Sequence, residues 1–443
     1  MVPAARTPAV QATVPPLRVG QDRAADAPAA TRTAGAIAFI WGVALFLPYP
    51  ALPIGANTGL QLGHFLILAL VPLAVLYRHW IAGAWAAALL LIVPQVVGLF
   101  VTGLKPIDLN ATVLQIFAML ALPVTALAFR ARPRSFLKGV SVMLGVHGLF
   151  GLAQWWSYRS DQFLLPGLFV NPSFAPFDDK QVQIYALYIQ RPFGITPEPS
   201  ALMTLVMPWV LLLLLAHLDG STRRGQPFFR LDGWRAIGLV ALLLTMLASA
   251  SGGIPFFGAA LAALVLIRAW RDARLHPQRA IAMVAAVVGI AIAAGVVVLR
   301  RYASEASQLG SWDERATSLG IGFRLIANAE PLQLLFGYGG GQVARIADSL
   351  QSTSAVHSWV LTYVVSFGIL GTLGLVVALL LVARGAWRSR DPLVWTIILG
   401  LWLIGPTLMS GYYQLLGVWG FLALPLALSA TDGRSAPPRR LHG

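Results

Sequence analysis

The stretch His357-Ser-Trp-Val-Leu-Thr-Tyr-Val-Val-Ser-Phe-Gly-Ile-Leu-Gly-Thr-Leu-Gly-Leu-Val-Val-Ala-Leu-Leu-Leu-Val-Ala383 carries no formal charge in the 26 residues after its histidine. As an α-helix it would be about 39 Å long, enough to cross a hydrocarbon core of ~30 Å. Its apolar residues are continuous instead of alternating, so it reads as a membrane-spanning helix and not as a barrel strand. Similar runs recur from Ala34 to Leu428. Hydropathy marks out twelve, at roughly 35–52, 58–77, 80–103, 109–129, 136–157, 201–218, 236–250, 252–267, 280–299, 357–383, 392–409 and 412–429. Ser249-Ala250-Ser251-Gly252-Gly253 separates two of these and fits either a tight outer turn or a break within one helix.

Composition points the same way. Hydrophobic residues make up 57% and charged residues 11% of the 443, and mean hydropathy is +0.73, whereas soluble domains carry about 25% charged residues. The expected fold class is an all-α polytopic membrane protein with about twelve transmembrane helices. The net charge of +15 is arranged by side of the membrane. With both termini inside, 23 of the 32 Lys and Arg fall in cytoplasmic segments, among them Arg78, Arg130, Arg132, Arg134, Arg268, Arg384 and Arg388. The positive-inside rule accounts for that bias, so no nucleic-acid partner is expected. The absence of cysteine excludes disulfides, thiolate metal sites and a cysteine nucleophile. Residues 1–33, rich in Pro and Ala, read as a disordered cytoplasmic tail, with the first helix as its own signal anchor; 431–443 read as a second tail, and 34–430 as one membrane domain.

Two long polar stretches interrupt that domain, at 158–200 and 300–356. In this orientation both lie outside, which in a diderm bacterium is the periplasm. The second holds Arg300, Arg301, Arg315, Arg324 and Arg345 against Glu305, Asp313, Glu314, Glu330 and Asp348. Charged groups kept near lipid are costly and mark ligand or ion paths. Arginines retained outside against the positive-inside bias therefore point to an anionic substrate.

The first stretch ends in Arg191-Pro-Phe-Gly-Ile-Thr-Pro-Glu-Pro-Ser200. Three prolines and a glycine forbid a regular helix here and hold Arg191 and Glu198 on a defined extended backbone. In the second, Ile321, Leu325 and Ile326 recur at helical spacing, which predicts a short interfacial helix presenting Arg324. Glycines at 337 and 339–341 permit close backbone approach, with amides of Gly339 and Gly340 able to join an anion site. The blander readings are a stiff entry into a helix for the first segment and a flexible turn for the glycines. No Lys-Ser or Lys-Thr completes a Walker motif. His357 stands at the start of its span, where an imidazole near neutral pKa can take a proton from a hydroxyl or simply cap the helix. His79, His217, His276 and His442 fall on the cytoplasmic side, His64 near a helix end, and His147 inside a span, where core packing is the default.

Together Arg191-Pro-Phe-Gly194 with Pro197 ahead of a helix, Arg324, Leu335-Phe-Gly-Tyr-Gly-Gly340, and His357 followed by a long helix with Gly368-Ile-Leu-Gly371 resemble the O-antigen ligase and O-antigen polymerase superfamily of bacterial polysaccharide assembly. The resemblance implies a GT-C-like enzyme of the bacterial inner membrane with its active site on the periplasmic side. It implies a metal-independent, inverting glycosyl transfer from an undecaprenyl-diphosphate-linked oligosaccharide, without a cofactor. Arg191 and Arg324 would hold the diphosphate, with Arg315, Gly339 and Gly340 as candidate support, and His357 would activate the acceptor hydroxyl. Guanidinium forks suit this role, since a diphosphate leaves readily once its charge is neutralised. The chain departs from the family pattern at Ser251-Gly252-Gly253, where many members carry Ser-Arg-Gly, and at Glu198, where Asn is commoner. Glu198 can orient an arginine or act as the base itself.

The departure at Glu198 favours a polymerase, with a flippase and a chain-length regulator as candidate partners besides membrane lipid. A ligase acting on lipid A-core uses the same chemistry. Asp178-Asp179 offers a metal-dependent alternative. A lipid-linked glycan transporter without chemistry is the reading from another class, and it predicts internal repeats, charges at mid-membrane depth or broken helices.

Overall fold

The computed structural model describes residues 29–55, 58–101, 103, 106–171, 190–220, 233–272, 277–305, 311–340, 358–389, 391–407 and 415–429. Helices dominate: α1 (Ala29–Ala44), α2 (Leu62–Leu76), α3 (Ala82–Val101), α4 (Pro106–Ala131), α5 (Pro133–Tyr158), α6 (Pro199–Gly220), α7 (Gly233–Ala248), α8 (Ile254–Asp272), α9 (Pro277–Glu305), α10 (Ser311–Ala327), α11 (Pro331–Phe336), α12 (Trp359–Trp387), α13 (Pro392–Trp402) and α14 (Leu416–Ser429). Among the described residues four helices are long and apolar enough to cross a membrane: α3, α4 from Leu109, α5 and α12. Seven more apolar helices have 10–17 described residues.

The expected all-α fold needs one correction. Ala51–Gly55 (β1) and Thr58–Gln61 (β2) form an antiparallel hairpin with Ala51 opposite Gln61. Pro48, Pro50 and Pro53 remove amide donors and Gly55 and Gly59 loosen the backbone, so this hydrophobic run cannot continue as helix. The Ala51 amide donates to the Val170 carbonyl at 2.8 Å, and Asn171 Nδ2 donates to the Pro48 carbonyl at 2.7 Å, tying the hairpin to the loop after α5. Two expected boundaries also move. α1 begins at Ala29, inside the segment read as tail, and the described residues of the second polar stretch are mostly helical, since α9 runs to Glu305 and α10 and α11 follow. Ser249 to Gly253 is a turn between α7 and α8, with Ala250 in the left-handed region at φ +46.

Glycine contacts reveal the relative directions of several helices. Along the α5–α7 seam Gly145 meets Gly238, Gly148 meets Leu242 and Gly151 meets Thr245, so contacts advance together and the helices run parallel. α1 and α5 are also parallel: Gly42 lies against Phe136, and further on Phe46 meets His147. α3 and α12 run opposite ways, because Gly83 at the start of α3 and Gly385 near the end of α12 both reach Pro425 or Leu426 of α14. Such alternation is what successive crossings of one layer produce. Small residues at these seams let backbones approach, which is the main source of helix cohesion where lipid competes for apolar contacts.

The core gathers around Trp209 of α6. Its ring meets Phe46, Phe136 and Phe421 edge-on or tilted at centroid separations of 5.5, 5.9 and 5.5 Å. Its indole N–H donates to the Gly417 carbonyl at 3.1 Å, Trp402 Nε1 to the Thr204 carbonyl at 2.8 Å, and Trp41 Nε1 to Thr125 Oγ1 at 2.9 Å. These three buried indoles therefore keep their polar handles satisfied. Arg130 donates to the Trp80 carbonyl, joining the α2–α3 turn to the end of α4. Exposed Trp80 and Trp387 stand at that same end beside Arg78 and Arg384, the arrangement of an aromatic belt with basic flanks.

Candidate functional site

The segment Arg191 to Ser200 is clasped by two polar side chains of α5. His147 and Gln154 are seven residues apart, two helical turns, and share one face. The amides of Phe193 and Gly194 both donate to Gln154 Oε1, at 3.1 and 2.9 Å. The Ile195 amide donates to His147 Nδ1 at 3.1 Å. Since Nδ1 accepts, the ring proton sits on Nε2, which donates to the Phe46 carbonyl at 2.9 Å. One neutral imidazole thus joins the end of α1, α5 and the extended segment. Gly194 has φ +61, and a Cβ there would lie 2.9 Å from His147 Nδ1 and 3.1 Å from the His147 carbonyl oxygen, so the position requires glycine.

Phe193 is buried against Phe163 and Phe169, at centroid separations of 6.0 and 5.5 Å. The Thr196 hydroxyl donates to the Phe193 carbonyl at 2.6 Å, rounding the bend. Glu198 leads into α6: its carbonyl accepts from the Leu202 amide at 3.0 Å, and its carboxylate accepts from the Ser200 hydroxyl. Arg191 and Glu198 are both half-buried, at either end of a segment whose middle is fully buried. A carboxylate oriented by a hydroxyl and a guanidinium on a fixed backbone are the elements of an anion- or hydroxyl-handling site.

The second segment is held by backbone. α12 is broken at Gly368, which adopts φ +61 and ψ −158. The break leaves carbonyls without their usual partners four residues on. Those of Val365 and Ser366 accept instead from the amides of Tyr338 and Gly339, each at 3.0 Å. Gly337 has φ +82, and a Cβ on Gly368 would lie 2.5 Å from the Gly337 nitrogen and 2.7 Å from the Leu334 carbonyl oxygen. The turn and the broken helix therefore meet main chain to main chain. Tyr338 Oη donates to the Leu325 carbonyl at 2.8 Å and ties the turn to α10. A cavity of about 190 Å³ opens beside this junction, lined mainly by apolar groups such as Ile326, Leu334, Tyr338, Val365, Ile369 and Leu373.

Arg324 lies in the last turn of α10 and is exposed, on a helix of 17 residues that extends the expected short one. Gly339 and Gly340 are half-buried in the docked turn, and the Gly339 amide is already used by Ser366, which removes it from the expected anion-binding set. Arg315 belongs to α10, with its side chain outside the described residues. His357 and Asp178-Asp179 also lie outside them. The two segments are anchored on different helices, the first on α5 and the second on α12. Among the described residues no group of three or more His, Asp or Glu side chains is placed to hold a metal ion.

The clasp by His147 and Gln154 was not expected from the sequence. The signal for it was present: two polar side chains seven apart in an otherwise apolar span have to face a partner. Neither models of protein families nor curated proteins yield a match to this chain.

Proposed function

We propose that the protein is a polysaccharide polymerase, joining undecaprenyl-diphosphate-linked repeat units at the outer face of a bacterial inner membrane. In this reading the chain crosses the membrane twelve times, with the shorter apolar helices completing the alternation of direction and the basic ends of α2, α4 and α12 inside. The observation that carries it is the rigid mounting of Arg191 and Glu198 by α5 at one end of the bundle, with exposed Arg324 on an outer amphipathic helix beside an apolar cavity. Arginines bind the diphosphate, the cavity receives apolar chain, and His357 or Glu198 takes the proton from the acceptor hydroxyl. A ligase acting on lipid A-core would use the same groups.

A transport function has one specific observation in its favour, the break in α12. Gly368 lies nine residues after Trp359, about 14 Å along the helix and so near the middle of a membrane, and broken helices at that depth are a transporter feature. Glycan length in a strain lacking the gene, complemented by wild type, Arg191→Ala, Arg324→Ala, Glu198→Gln or His357→Ala, separates the readings. Collapse to single repeat units with the variants, each present at wild-type level, is expected. Long glycan retained on the lipid carrier identifies a ligase. Conversion of lipid-linked repeat units into polymer by the purified protein excludes transport alone, and wild-type behaviour of all four variants overturns the site.

A further inference from the structure

A second polar locus lies inside the bundle, on the far side of the glycine turn from the apolar cavity. Gln95 of α3, Thr112 of α4 and Ser366 of α12 surround a notch of about 10 Å³ closed by Phe336, Gly339 and Gly340. Gln95, Thr112 and Ser366 are all buried, with exposures of 1, 2 and 0%. Gln95 Nε2 is engaged, donating to Met119 Sδ at 3.0 Å and to Tyr363 Oη at 3.4 Å. Its Oε1 and the Ser366 hydroxyl have no protein partner. Two orphaned oxygens at one notch in a membrane bundle are costly, because neither lipid nor the apolar core can satisfy them.

We infer that this notch binds one water molecule, which donates to Gln95 Oε1 and Ser366 Oγ and bridges α3 to α12 beneath the glycine turn. The size fits, since a single water needs roughly 10–15 Å³ and two to four polar partners. The Thr112 hydroxyl supplies a third. The setting fits as well, because Gly98 of α3 lets the Phe336 carbonyl approach, with 3.2 Å between that oxygen and a Cβ built on the glycine, and Gly340 sits as closely over the Gln115 amide at 3.0 Å. The turn thus closes over the notch with main chain only. A guest that both donates and accepts is compatible with either orientation of the Gln95 amide. The inference stands apart from the polymerase reading, since it concerns how the helices beneath the turn are joined.

The test is an experimental structure of the full chain, fine enough to show ordered water, together with amide hydrogen exchange of wild type and Ser366→Ala. The expected result is a rounded density within hydrogen-bonding distance of Gln95 and Ser366, lost in the variant, whose amides over 336–340 exchange about tenfold faster. A wild-type map in which Ser366 Oγ has rotated onto the Thr362 carbonyl and the notch holds no density overturns the inference. Saturable stabilisation by sodium over a bulky organic cation, absent in Gln95→Leu, also overturns it and makes the guest a monovalent cation. Should Ser366→Ala fail to fold, the wild-type map decides alone.

Discussion

The two segments singled out by the sequence are fixed to the bundle by opposite means. Arg191 to Ser200 gives its amides to side chains, Gln154 and His147 of α5. The turn at Gly337 to Gly339 gives the amides of Tyr338 and Gly339 to the Val365 and Ser366 carbonyls of a broken helix, main chain to main chain. A side-chain clasp can be removed by one substitution without disturbing the helix that carries it. A main-chain joint cannot, because it depends on both partners lacking a Cβ. The first segment is therefore the adjustable one, and the second acts as a fixed reference.

The sharpest way to break this contrast is at the joint. Gly368→Ala and Gly337→Ala each force a side chain into the left-handed region, at about 1–2 kcal/mol, and displace buried main-chain hydrogen bonds, at about 1–3 kcal/mol each. With the two hydrogen bonds of the joint, a loss of about 3–8 kcal/mol is expected for either, read as thermal unfolding in detergent. A loss no greater than that of an exposed control such as Gly167→Ala, where a Cβ meets nothing within 4 Å, would sink the main-chain account.

Breaking the clasp should be milder and more local. Gln154→Leu orphans the amides of Phe193 and Gly194, for about 2–3 kcal/mol in total because the segment can open toward water. Its expected signature is fast amide exchange over 193–195 with α5 still protected, and activity falling further than stability does. His147→Phe should behave alike, whereas Gln154→Glu, which keeps the accepting oxygens, should lie nearer wild type. Protection lost uniformly along α5 would mean that the clasp is merely part of the core.

Smallest of all is Tyr338, whose hydroxyl ties the turn to α10. Tyr338→Phe removes one hydrogen bond, about 1 kcal/mol. Desolvation first, and the nearby Glu330 carboxylate second, push the phenol above its ordinary value of 10.0. The neutral phenol is the donor to Leu325, so its contribution is complete below the unfolded value and declines as pH rises from there toward the folded one. Absorbance titration of Tyr338→Phe should lose the amplitude of one late-ionising tyrosine relative to wild type.

The helices were legible because lipid is a severe solvent: a long uncharged run such as 358–383 has few structures open to it. The hairpin at 51–61 was hidden inside the same signal, since hydropathy does not register that Pro48, Pro50 and Pro53 lack donors. In the site, the extended course of 191–200 followed from its prolines, but what it rests on did not. His147 looked like packing because burial was weighed without asking where its two nitrogens go. Gly368 was read together with Gly371 as part of a motif, and a glycine's φ cannot be seen in a sequence. Gly374, in the same run, does pack against Leu90 of α3, so three similar glycines perform different tasks.

The parallel pairing of α5 with α7 has a consequence for biogenesis. Gly145, Gly148 and Gly151 find their partner only after α6 has been made and α7 has begun at Gly233. From Gly151 to Gly233 is 82 residues, roughly 4–16 s of synthesis at ordinary elongation rates. For that interval a newborn α5 shows its glycine groove to the insertion machinery or to lipid. A groove without side chains offers little for a wrong helix to grip, which keeps the place open until the right one is made.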